Sequence, residues 1–213
     1  MQALIVANGE LDPPRDLGQR LASADLIIAA DGGAQHCRAL GILPQVIIGD
    51  LDSLDAKLRA DFERQGVRIL THPADKDQTD LELALLHAKD AGAQQIVVLA
   101  GLGHRWDHSV ANLLLAAHAQ FADQRIVFLQ GEHRLFVIRQ GSPLAARVGE
   151  RVSLLSLGGD AKGVSTCGLK FPLANETLVF GSSRGVSNVV LAEDAAVELK
   201  EGCLLCVISP ATD

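Results

Sequence analysis

Residues 95–120 read QIVVLAGLGHRWDHSVANLLLAAHAQ, and the order of residue types along this stretch decides the fold class. Gln95–Ala100 is a short, nearly continuous apolar run with three β-branched residues, the pattern of a strand buried on both faces. Gly101-Leu102-Gly103 interrupts it with two residues suited to tight turns. From Ser109 to Gln120 the apolar residues fall at helical spacing, and the glycines before them place the helix start near Asp107. A strand, a glycine loop and a helix make up half of a βαβ unit.

The same texture extends outward through the first half of the chain. Apolar runs recur at Ala3–Ala7, Asp25–Ala30, Val46–Ile48, Val67–Leu70 and Arg125–Leu129, and Asp80–Lys89 (DLELALLHAK) reads as a second helix. Strands alternating with helices predict a parallel sheet covered by helices. After Gly131 the texture changes, and Gly, Ser, Pro and Asn clusters separate the apolar runs: Leu135–Ile138, Arg151–Leu157, Thr177–Phe180, Asn188–Leu191, Ala196–Lys200 and Leu204–Ser209. No helical pattern intervenes, which predicts an antiparallel module. The expected organisation is a Rossmann-like α/β domain over 1–131 followed by a small antiparallel β-sandwich domain over 132–213, without internal repeats.

Composition narrows the function. With 48% hydrophobic and 21% charged residues over 213 positions, the chain can bury a core. Aromatics are 3% and tyrosine is absent, so that core is aliphatic. A net charge of -7 argues against an extended nucleic-acid surface, which needs a basic stripe, while leaving small phosphorylated ligands open. Met1–Glu10 lacks the basic start of a secretory signal, and no apolar run approaches the roughly 18 residues of a membrane span. Cys203-Leu204-Leu205-Cys206 lies in a strand-like run, where residues three apart face opposite ways, and no second pair completes a zinc site. Reduced cysteines in a cytoplasmic protein are expected.

In an open parallel sheet ligands bind beyond the carboxyl ends of the strands, and the notable polar residues fall there: Asp31-Gly32-Gly33-Ala34, Gly49-Asp50-Leu51-Asp52-Ser53, Asp75-Lys76-Asp77-Gln78-Thr79-Asp80 and Gly101–His108. Asp50 and Asp52 are two apart and would point the same way in extended backbone. Asp77 and Asp80 flank a helix start, where Thr79 as N-cap and Glu82 at N3 form a capping box. Each aspartate alone is an ordinary turn former; carboxylates gathered on one rim repel unless a cation shares them, and Mg²⁺ with substrate phosphates suits that set. Gly101-Leu102-Gly103 lacks the third glycine of a dinucleotide fingerprint, with Trp106 in its place, and no P-loop is present. What remains is a glycine loop, Arg105 and a helix N-terminus, a workable phosphate cradle. His104 and His108 have metal-ligand spacing, but the helix start near Asp107 keeps them from one face.

Taken in order, these motifs resemble those of the thiamine pyrophosphokinase family: Asp31–Ala34, Gly49–Ser53, Asp77–Asp80, then Gly103–His108 with Asn112, and in the second half Gly168-Leu169-Lys170-Phe171-Pro172-Leu173 with Ser187-Asn188. Two positions depart, His104 where glycine is usual and Val189 where an acidic residue is common. The resemblance implies transfer of the pyrophosphoryl group of ATP to the hydroxyl of thiamine, giving thiamine diphosphate and AMP, with Mg²⁺. It also implies a homodimer whose sites lie between the α/β domain of one subunit and the β domain of the other. Asp50, Asp52, Asp77 and Asp80 are then metal and acid/base candidates, with Asp31 a weaker one. Asp31, Gly32, Gly33, Lys76, Arg105, Asp107 and Asn112 are candidates for holding ATP. Ser187 and Asn188 would hydrogen-bond the aminopyrimidine, and Phe171 would offer a flat apolar face unless it is simply core. Two alternatives stay open: a pyrophosphokinase for another hydroxymethyl heterocycle such as a pterin, and a nucleotide-binding module without catalysis.

Overall fold

The structure, a computed structural model, describes residues 1–211 except Ser53 and His104. The chain splits into two compact units, Met1–Gly131 and Glu132–Asp213. The first runs β1 (Gln2–Val6), α1 (Leu17–Ser23), β2 (Leu26–Ala30), α2 (Gly33–Ala39), β3 (Val46–Gly49), α3 (Ala56–Arg64), β4 (Arg68–Thr71), α4 (Asp80–Asp90), β5 (Gln95–Leu99), α5 (Trp106–Ala117), a 3-10 turn (Ala119–Phe121) and β6 (Arg125–Gln130). All six strands are parallel, in the order β6-β5-β1-β2-β3-β4. Progression from β1 to β4 goes one way; β5 then pairs on the other side of β1. The strand order reverses between β1 and β5, and a ligand crevice forms at such a reversal.

Burial on both faces explains the unbroken apolar runs. One face carries Leu4, Val6, Ile27, Ala29, Ile47 and Leu99, packed with Ala34 and Cys37 of α2 and Phe62 of α3. Ile5, Ile28 and Ile48 alternate with these and are equally buried. Helix α4 packs against β1, β2 and β3 and buries Leu81, Ala84, Leu85 and Ala88. Helix α5 starts at Trp106, one residue before the expected position, and stops at Ala117 rather than Gln120. There His118 turns to extended backbone and its ring nitrogen accepts from Gln120 N–H. The capping box at α4 is only half made. Thr79 Oγ1 accepts from Glu82 N–H at 3.2 Å, but Glu82 Oε1 accepts from Gln120 Nε2 at 3.1 Å instead of reaching back to the cap.

The second unit contains β7 (His133–Ile138), β8 (Ser142–Pro143), β9 (Arg151–Ser156), β10 (Ala161–Cys167), β11 (Glu176–Leu178), β12 (Asn188–Val189), β13 (Ala196–Glu198) and β14 (Leu204–Ser209). These form two antiparallel groups, β12-β9-β14-β7 and β11-β10-β13-β8. Ser156 Oγ of β9 donates to Leu178 O of β11 at 2.7 Å and ties one group to the other. The α/β unit followed by an antiparallel β unit is the fold class expected. Strand β10 is an addition to the expected set. Its register shifts between Ala161 and Val164, at Gly163 with φ 66°, so its buried residues break the period of two. Cys206 is buried in β14, and the half-buried Cys203 precedes that strand.

Candidate active site

The loops after β1 and β5 are laced together at the reversal of strand order. Gly9 N–H donates to Ala100 O and Glu10 N–H to Leu102 O, both at 2.7 Å. Gly103 has to be glycine, because a Cβ there would stand 2.5 Å from Glu10 N. Helix α5 holds the loop from the other side. Gly103 N–H donates to Ser109 Oγ at 3.0 Å, the Ser109 hydroxyl lies 3.1 Å from Arg105 O, and Asn112 Nδ2 donates to Gly101 O at 2.7 Å. Ser109 and Asn112 are among the few buried polar side chains, and their hydrogen bonds to the loop backbone answer the cost of burying them. Asn112 was a candidate from sequence; Ser109 and Asn8, which lines the same cavity, were not. The available signal was two polar residues three apart on the buried face of an apolar helix.

These loops, with those after β2, β3 and β4, surround a cavity of about 550 Å³ lined by Asn8, Asp31, Asp50, Lys76, Asp80 and Arg105 among others. One oxygen each of Asp31, Asp50 and Asp80 lies within 4.8 Å of the other two. Carboxylates that close repel by roughly 4 kcal/mol per ionised pair at an effective dielectric constant near 20, so the group calls for positive charge. Lys76 Nζ supplies some, 2.9 Å from Asp80 Oδ1 and 4.0 Å from Asp50 Oδ2. The buried Oδ1 of Asp80 takes that ion pair without a well-directed hydrogen bond. An all-carboxylate donor set with a buried, under-satisfied oxygen fits a hard divalent cation.

The other candidates distribute unevenly. Asp52 is exposed and outside the trio, because Leu51 adopts φ 62° and breaks the extended backbone that would have aligned Asp50 with Asp52. Its N–H donates to Asp50 Oδ1 at 3.3 Å and keeps it at the edge of the group. Asp77 is exposed in the bend before α4. Gly32 and Gly33 do not line the cavity. A Cβ on Gly33 would lie 2.0 Å from Val6 O, so its smallness lets α2 approach β1. Arg105 lines the cavity and is clamped by Asp107, with Nη2 to Oδ2 at 2.6 Å. That exposed pair raises the arginine's affinity for its proton and holds the Asp107 carboxyl below its usual range. His108 lines the cavity, while His104, like Ser53 of the Asp50 motif, lies outside the described residues.

In the second unit the two β motifs meet. Gly168–Phe171 runs against 188–191: Leu191 N–H donates to Gly168 O at 2.7 Å and Lys170 N–H to Val189 O at 2.9 Å. Asn188 completes the ladder through its side chain, accepting from Phe171 N–H and donating to Phe171 O. Phe171 is 61% exposed, so it is not core, and Lys170 Nζ stands 5.4 Å from its ring centroid. Ser187 has φ 63° and its N–H donates to Ser153 Oγ at 3.1 Å.

Comparison with known proteins matches both units. Residues 17–128 match the family model "Thiamin pyrophosphokinase, catalytic domain", and residues 136–204 match "Thiamin pyrophosphokinase, vitamin B1 binding domain". The chain is 26% identical to the thiamine pyrophosphokinase of Bacillus subtilis over 207 residues, covering 96% of this chain and 97% of that protein. It is 29% identical to thiamine pyrophosphokinase 1 of Arabidopsis thaliana over 237 residues, covering 97% and 85%. The crystal structure of thiamin pyrophosphokinase from Geobacillus thermodenitrificans superposes with a TM-score of 0.84 at 26% identity, over 100% of this chain and 99% of that one. The Bacillus subtilis structure shares the fold with a TM-score of 0.88. With both of its units matched in order, the chain belongs to the thiamin pyrophosphokinase family.

Proposed function

We propose that this chain transfers the pyrophosphoryl group of ATP to the hydroxyl of thiamine, with ATP in the cavity above β1 and β5. Family membership supports a thiamine pyrophosphokinase over a pterin-directed enzyme or a non-catalytic module. The placement of the reaction rests on one observation: Asp31, Asp50 and Asp80 converge beside Lys76 at the reversal of strand order. In this reading the three aspartates hold Mg²⁺, with Asp52 and Asp77 at the rim. Bound there, Mg²⁺ would neutralise phosphate charge and favour in-line attack at the β-phosphorus. The chain's own residues do the rest. The glycine loop offers backbone N–H groups at the start of α5, Arg105 and Lys76 meet phosphate oxygens, and Asn112 and Ser109 keep the loop rigid. A carboxylate of the group takes the proton of the thiamine hydroxyl as the new P–O bond forms and AMP leaves.

Thiamine is assigned to the face carrying Phe171, Ser187 and Asn188, in a homodimer whose sites combine the α/β unit of one copy with the β unit of the other. Association is supported by the apolar surface left on each unit: Trp106, Val110 and Leu114 at helical spacing along α5, and Phe171, Phe180 and Leu191 in the second unit. A cytoplasmic location belongs to the same reading and is supported by the free cysteines; no helix among the described residues is long and apolar enough to cross a membrane. The test is incubation with ATP, Mg²⁺ and thiamine, following AMP and thiamine diphosphate by chromatography. Equimolar appearance of both is expected, and AMP without thiamine diphosphate would overturn the acceptor assignment.

A further inference from the structure

Lys76 is built into the carboxylate group more deeply than a phosphate contact requires. Its side chain is only 11% exposed, in the loop between β4 and α4, and its ammonium contacts two of the three clustered carboxylates. Mg²⁺ binds its oxygen ligands at about 2.0–2.1 Å. An ammonium 2.9 Å from Asp80 Oδ1 would stand within about 5 Å of a cation bound to that oxygen, and two positive charges so close repel. We propose that Lys76 is the internal counter-cation of the carboxylate group, holding Asp50 and Asp80 together before substrate arrives and competing with the divalent cation for their oxygens. This role rests on the reading of the group as a divalent-cation site. The flexible stem of lysine lets the ammonium withdraw to the cavity wall, which it also lines, where a phosphate oxygen is its next partner. Phosphate binding then frees the carboxylates, so nucleotide and metal ion each favour the other's binding, as reciprocal linkage requires.

The test is a titration of the full chain with MnCl₂ in the absence of nucleotide, reading free Mn²⁺ by electron paramagnetic resonance. Wild type is compared with Lys76→Met and Lys76→Gln, each checked for folding by thermal melting; the two replacements differ in polarity, so one misfolded variant does not remove the test. Both variants should bind Mn²⁺ roughly tenfold more tightly and bind α,β-methylene-ATP more weakly by a similar factor. That opposition of sign is the signature, because a packing role would weaken both. Binding by the variants and not by wild type would be the same result in its extreme form. Equal or weaker Mn²⁺ binding by both variants would overturn the competition and leave the cation site standing. No Mn²⁺ binding to any of the three proteins, with or without the ATP analogue, would overturn the cation site and the role of Lys76 together.

Discussion

The side-chain amide of Asn188 grips the backbone of Phe171 at both polar atoms: Oδ1 accepts from Phe171 N–H at 3.0 Å and Nδ2 donates to Phe171 O at 2.7 Å. The same Oδ1 also accepts from Val189 N–H at 2.9 Å. With three backbone groups already engaged, the carboxamide keeps little capacity for a ligand. In the proposed reading, its contribution to thiamine binding would be to fix the segment that presents Phe171.

Replacing Asn188 by Ala should therefore have two linked effects. Three backbone groups lose a partner, destabilising the protein by about 1–2 kcal/mol, and thiamine affinity should fall about tenfold as Phe171 loses its fixed position. Asn188→Asp keeps the acceptor and loses the donor, so it should fall between. Calorimetric titration with thiamine and with α,β-methylene-ATP checks this. Weakened nucleotide binding with thiamine binding intact would reverse the assignment of substrates to the two units.

The carboxylates separate by a different measurement. Asp50→Asn and Asp80→Asn should each lower turnover at least about a hundredfold, the scale of electrostatic groups at a reacting centre, and should also abolish nucleotide-free Mn²⁺ binding. Asp52→Asn should slow turnover but keep that binding, because its carboxylate stands outside the trio. EDTA should silence wild type and Mg²⁺ restore it. Retained Mn²⁺ binding in both Asp50→Asn and Asp80→Asn would move the cation elsewhere.

Much of this arrangement is legible in the chain because the residues that bound it are local. Apolar runs ending in acidic or glycine-rich loops report parallel strands and their carboxyl ends; the motifs at 31–34 and 49–52 begin where β2 and β3 stop, and 77–80 leads from the loop after β4 into α4. The membership of the trio is less legible. The reading by spacing paired Asp50 with Asp52 and assumed extended backbone between them, but the left-handed Leu51 turns Asp52 away. Asp31 joins Asp50 because β2 and β3 are parallel neighbours, a relation that no local spacing encodes. Ser109 is less legible, because its one signal is the three-residue spacing from Asn112, and nothing local names the loop it holds. Helices α1 and α2 are seven residues each, and α1 buries none of them, so little helical periodicity distinguishes them.

Ser109 offers a test of the loop itself. Ser109→Ala is nearly isosteric and removes the acceptor for Gly103 N–H together with the tie to Arg105 O. Since Gly103 borders the cavity, the KM for ATP should rise about tenfold from the lost loop-ordering hydrogen bonds, with the KM for thiamine unchanged. Steady-state kinetics with each substrate varied in turn decides it, and equal shifts in both would mean that Ser109 acts on the fold as a whole.

The last prediction concerns Cys37 on the buried face of α2, fully enclosed in the core. Burial pushes its thiol from 9.0 up to about 12, because the thiolate has no solvation there. The folded state thus holds this proton more tightly than the unfolded chain. The stabilisation is fully present below pH 9, where both states are protonated, and is lost progressively as pH rises toward 12. The chain contains no tyrosine, so no phenol titrates in that window; lysines and the other thiols, including Cys203 with its pKa pushed up by burial, supply a background common to both proteins. Cys37→Ala should be less stable at pH 7, by about 1 kcal/mol for the lost volume, yet its stability should decline less steeply above pH 9. The wild-type advantage should close and then reverse, a relative shift on the order of 1–2 kcal/mol by pH 10.5. Urea denaturation at a series of pH values measures it, and parallel curves from pH 8 to 10.5 would show that the thiol ionises in the folded protein as readily as in the unfolded one.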